Sequence, residues 1–67
     1  MSTFSERLRL ARKERGMNQE ILAKRTGIER GHIRHYETGK NTPTLPYLIA
    51  LAQVLDCSTD WLCGLED

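Results

Sequence analysis

Arg30 and Arg34 stand four residues apart, with His32 and His35 interleaved. On a helix that spacing puts both arginines on one face. A guanidinium pairs bidentately with guanine O6 and N7, a contact that discriminates by about 1–3 kcal/mol. It holds a phosphate equally well, without reading sequence. Both uses stay open here, with Arg34 the better candidate for a base. Each imidazole can hydrogen-bond a base edge or a phosphate, or stand as an ordinary surface residue. Catalysis has no comparable grouping. No Ser or Cys nucleophile is spaced with a base, and there is no carboxylate pair or phosphate loop, so no enzyme activity is expected. Cys57 and Cys63 lie far from both histidines and form no CxxC pair. That is not the four-ligand spacing of a zinc site, and no metal or other cofactor is expected. The two thiols read instead as small, unpaired core residues.

Charge is distributed unevenly. Residues 1–40 carry all ten Lys and Arg against five acids, whereas residues 41–67 carry four acids and neither Lys nor Arg. The formal net charge of +1 therefore conceals a basic half and an acidic half. That asymmetry suits a polyanion on one face, although solvated helices are also commonly charged. With 67 residues and 39% hydrophobic content, one domain spanning 1–67 is expected, too apolar to be disordered. No apolar run approaches the ~20 residues of a membrane span, and no basic-then-apolar signal opens the chain. A cytoplasmic location without a membrane partner is expected.

The elements that must position these residues are all helical. Apolar spacing and turn punctuation predict helices over about residues 5–15, 19–26, 30–38, 45–55 and 59–63. Thr3 or Ser5 caps the first helix, with Phe4, Leu8 and Ala11 facing inward. Asn18 caps the second, flanked by a Met17–Leu22 staple, and Ile28 with Ile33 repeats that staple on the third. Glu29 is a poor cap for the third helix, and Gly31 in its first turn costs up to ~1 kcal/mol against Ala. Packing must therefore stabilise that helix. Thr44 caps the fourth, where Leu48, Ile49, Leu51, Ala52 and Leu55 form a wide apolar arc. Ser58 caps the fifth.

Between Gln19 and Tyr36, Ala23, Gly27 and Ile33 fall where two steeply crossing helices need them. The crossing requires a small residue, the turn a residue tolerant of positive φ, and the second helix a buried branched anchor. The pattern is that of a helix-turn-helix. With this motif in place, the segments RLRLARKERGMNQEILAKRTG, HIRHYETGK, PTLPYLIALAQVLDC and STDWLCG resemble the Cro and phage-repressor type of helix-turn-helix domain. The likeness extends from about Phe4 to Gly64. It implies a five-helix, lambda-repressor-like fold whose third helix enters the DNA major groove, in a homodimeric regulator, a repressor by expectation, on a palindromic operator.

Carried onto this sequence, the resemblance implies base contacts from Arg30, Gly31, His32, Arg34 and His35. It implies phosphate contacts from Asn18 and Gln19 at the start of the second helix, and from Lys40, Asn41 and Thr42 after the third. Arg12 and Glu37 match a pair that bridges the first and third helices, and Leu45, Tyr47, Trp61 and Leu65 match a dimer interface. Double-stranded DNA is the expected partner, with no small-molecule ligand. An antitoxin or a restriction-system controller on the same fold is an alternative. A protein-interaction module that has lost DNA binding is another, left open by Glu29 and Gly31.

Overall fold

A computed structural model describes residues 3–67. Among the described residues there are five α-helices and no strand: α1 (Phe4–Glu14), α2 (Gln19–Thr26), α3 (Arg30–Thr38), α4 (Leu45–Leu55) and α5 (Thr59–Leu62). α1 starts one residue earlier than the spacing predicts, because Thr3 and not Ser5 is its cap. The Thr3 hydroxyl accepts from the Glu6 N–H at 3.2 Å, while the Thr3 N–H donates to Glu6 Oε1 at 3.0 Å. This reciprocal box satisfies two N–H groups that the helix cannot pair internally. The same contacts hold the Glu6 carboxyl below its ordinary pKa. α1 also stops one residue short of expectation, since Arg15 already departs from helical geometry (φ −86°, ψ 3°).

Asn18 Oδ1 accepts from the Ile21 N–H at 2.8 Å and fixes the start of α2. At the other end Gly27 adopts φ +75°, and its N–H closes on the Ala23 carbonyl at 2.9 Å. This left-handed residue turns the chain sharply into α3. α3 itself receives no side-chain cap, because Glu29 makes no such hydrogen bond. A Cβ added at Gly31 would meet nothing within 4 Å. Burial of Ile33, Tyr36 and Glu37 is what holds this helix in place.

α1 packs on α3 and α5, α2 on α3 and α4, and α4 on α5. Leu8, Leu22, Ile28, Ile33, Leu51, Leu55 and Leu62 are fully buried at the junction. Each contributes roughly 1.5–3 kcal/mol by leaving water. Met17 belongs to the same buried cluster, and Phe4 is half-buried against it.

The predicted wide arc of α4 is narrower than expected. Leu51, Ala52 and Leu55 are buried, Leu48 is half-buried, and Ile49 remains 42% exposed on the outer side. Thr44 occupies the cap position but makes no side-chain cap hydrogen bond. α5 ends at Leu62, one residue before the expected boundary. Cys63 beyond it is exposed, correcting its reading as a core residue, and Cys57 is half-buried. Both thiols are free, and burial raises the pKa of Cys57. Among the described residues no helix is long and apolar enough to cross a membrane.

Candidate nucleic-acid interface

α3 has two chemically distinct sides. Ile33, Tyr36 and Glu37 turn into the protein, while Arg30, Gly31, His32 and Arg34 are exposed and His35 is half-exposed. The i, i+4 spacing places both arginines together on the outer side, as the sequence anticipates. Neither Arg30 nor Arg34 makes a side-chain hydrogen bond or ion pair among the described residues; the ion pairs there join Arg12–Glu37, Arg15–Asp56 and Lys24–Glu20. Lys40, just past the helix, is equally unpaired. The acidic end of the chain is occupied elsewhere. The Glu66 carboxylate accepts from the Ser58 hydroxyl, and Arg7 donates to the Glu66 and Trp61 carbonyls.

The inner side of α3 is fixed by a polar clamp. Arg12 Nε donates to Glu37 Oε2 at 2.6 Å and Nη2 to Oε1 at 2.9 Å, a bidentate pair. The remaining arm, Nη1, donates to the Met17 carbonyl at 2.9 Å. Arg12 is 9% and Glu37 5% exposed, so the pair is shielded from solvent and its directional bonds satisfy both groups. The Glu37 hydrogen bonds raise the pKa of Arg12 above its ordinary value, against the opposing effect of burial. One clamp thereby joins α1, the α1–α2 turn and α3.

Gln19 extends this network. Its Nε2 donates to Glu37 Oε1 at 3.3 Å, so its side chain is tied toward α3. Sequence reasoning places Gln19 at a phosphate but does not foresee this tether; its only trace in the sequence is the acid already paired with Arg12. Asn18, Gln19 and Arg30 line one shallow recess. Asn18 Oδ1 is spent on the helix cap, which leaves its amide N–H groups toward solvent.

The loop after α3 closes on itself, with the Lys40 and Asn41 N–H groups bonded to the His35 carbonyl. Lys40, Asn41 and Thr42 border a recess of about 530 Å³ shared with His32, Tyr36 and Tyr47. The four residues expected at a dimer interface are not gathered into one recess. Leu45 and Leu65 are 66% and 76% exposed. Trp61 instead lies half-buried under the Arg7 guanidinium, 4.9 Å from its ring centroid, and Tyr47 borders the α3 recess. The exposed Ile49, four residues after Leu45, is a surface apolar residue that the periodicity assigned to the core.

The sequence pattern of the helix-turn-helix family matches residues 8–62. The chain is 41% identical over 66 residues to the HTH-type transcriptional regulator DicA of Escherichia coli, which covers 97% of this chain and 49% of DicA. It is 36% identical over 64 residues to the uncharacterized HTH-type transcriptional regulator YobD of Bacillus subtilis, covering 96% of this chain and 57% of YobD. The chain thus spans about half the length of these curated relatives. Its fold superposes on the P22 c2 repressor, solved in complex with a synthetic operator, with a TM-score of 0.93 and 30% identity, covering 98% of this chain and all of that one. This protein belongs to the helix-turn-helix family, of the Cro and phage-repressor type.

Proposed function

We propose that this chain is a transcriptional regulator of the repressor type that binds double-stranded DNA as a homodimer, acting by occupancy and not by catalysis. The observation that carries the reading is the outward pair of unpaired guanidiniums, Arg30 and Arg34, on a helix whose other side is anchored by Ile33 and Glu37. Two such helices, one per protomer, would enter major grooves about one DNA turn, ~34 Å, apart. The five helices work as one binding unit. The relatives' printed roles as transcriptional regulators, and the operator bound to the P22 c2 repressor, support this assignment.

In this reading Arg30, His32, Arg34 and His35 face base edges, and Gly31 lets the backbone approach between them. Asn18, Gln19, Lys40, Asn41 and Thr42 hold phosphates on either side. Backbone N–H groups at the start of α2 add to the attraction for an anion. Leu45 and Leu65, with Ile49, supply the apolar surface for the second protomer, and Trp61 supports it from beneath. Selection of bound sites from a random duplex pool tests the proposal. Enrichment of an inverted repeat with half-site centres about 10 base pairs apart is expected. Recovery of no enriched sequence, with no affinity for duplex at low salt, would contradict it.

A further inference from the structure

Arg7 belongs to the basic half of the sequence but is withdrawn from any role at its surface. Its half-buried guanidinium is in no ion pair among the described residues. It is spent instead on the acidic half of the chain. Nη1 donates to the Trp61 carbonyl at 2.7 Å and also to the Glu66 carbonyl, and the guanidinium carbon lies 4.9 Å from the Trp61 ring centroid. One side chain of α1 thus grips α5 at Trp61 and the segment after it at Glu66. Further bonds close that segment on itself. The Leu65 N–H donates to the Asp60 carbonyl at 2.8 Å, and the Gly64 N–H to the Trp61 carbonyl at 3.1 Å. The Glu66 carboxylate accepts from the Ser58 hydroxyl, and Gly64 turns the chain with φ +79°.

All of this fixes an apolar side chain in water. Leu65 stands between the two gripped residues and is 76% exposed. Segments outside helices are ordinarily mobile, and burial does nothing to order this one. A leucine held still but left uncovered gives the single protomer little; it gains only when a partner covers it. Residues 41–67 carry four acids and neither Lys nor Arg, so that partner is not a nucleic acid. A second copy suits it, because Leu45 and Ile49 on α4 offer exposed apolar surface of the same kind.

We infer that Arg7 is a positioning residue for self-association: it orders residues 61–66 within the protomer, so that Leu65 meets the second copy already in place. The inference rests on the homodimer reading above. It gives Arg7 an influence on DNA affinity without any contact to DNA, because a dimer engages two half-sites and a monomer one. Without the grip, the cost of ordering the segment moves from folding to association.

Arg7→Gln tests this, with Trp61, the one tryptophan of the chain, as reporter. In dilute monomer, loss of the overlying cation makes Trp61 emission easier to quench with acrylamide. Self-association measured by sedimentation weakens about tenfold, the scale of ordering one or two side chains at an interface. Affinity for the selected duplex falls in dilute protein and returns to the wild-type value once the dimer is saturated. In a Leu65→Ala background, Arg7→Gln weakens self-association by less than a further twofold, because the two residues act through one contact. Gly64→Ala leaves Arg7 intact but strains the left-handed turn that aims Leu65; it weakens self-association in the same direction, and answers the same question should Arg7→Gln unfold. Self-association within twofold of wild type in both variants would overturn the inference. So would additive losses from Arg7→Gln and Leu65→Ala, or a loss of DNA affinity that persists in the saturated dimer. Failure of the homodimer reading looks different: the wild-type chain itself then stays monomeric, on and off DNA.

Discussion

Arg12 and Arg34 are the same side chain in opposite circumstances. Arg12 is surrounded, its arms committed to Glu37 and the Met17 carbonyl, whereas Arg34 is exposed and bonds to nothing among the described residues. Both act through α3, one from its inner side and one from its outer. The contrast teaches that neighbours, not residue type, decide whether a cation serves the fold or awaits a ligand. Desolvation without a partner costs several kcal/mol per ion, so a buried guanidinium must be matched within the protein. An exposed one keeps its water until a phosphate or base displaces it.

The largest effect is expected from Glu37→Ala, which strands a buried Arg12. We expect a loss of about 3–5 kcal/mol, read as a lower midpoint in denaturant or heat. Replacing Arg12 and Glu37 together with methionine should recover most of that loss. An unchanged midpoint in Glu37→Ala would mean that the clamp does not hold α3. On the other side, Arg34→Ala should leave the midpoint within about 0.5 kcal/mol of wild type and reduce duplex affinity by about 1–3 kcal/mol, relaxing preference at one base position. Equal loss of stability and affinity would erase the distinction between the two faces.

Gly31→Ala separates stability from binding, because its two readouts should move in opposite directions. Open space at this position means that alanine stabilises the free protein, by up to about 1 kcal/mol. If the helix approaches DNA closely there, affinity falls; a variant that gains both stability and affinity would remove Gly31 from the interface. The smallest effect is expected at Glu6. Its folded pKa lies below its ordinary value of 4.5, so its contribution to stability is complete above that pH and is lost as pH falls through the folded value. Glu6→Gln should therefore flatten the acid limb of a stability profile below about pH 4.5 and leave DNA affinity untouched.

Much of this organisation is legible in the residues. The left-handed turn at Gly27, the Asn18 cap and the outward spacing of Arg30 and Arg34 follow from local chemistry. They depend on residues within a turn or two of one another, which is why periodicity reaches them. The departures need the third dimension. Ile49 sits on an apolar helix, but which of its sides meets α2 and α5 is settled by packing. Trp61 reads as core or interface until Arg7, 54 positions away, is seen above it. The tether from Gln19 to Glu37 spans 18 positions. Local rules see caps and faces; they do not see what crosses between helices.

In the proposed function the outer side of α3, with its flanking loop and the start of α2, meets DNA. Amide chemical-shift mapping during titration with the selected duplex tests it most directly. The largest changes should fall at residues 18–19, 30–35 and 40–42, with α1's buried residues little affected. Changes concentrated in α5 and the C-terminal segment, with residues 30–35 unmoved, would contradict the account.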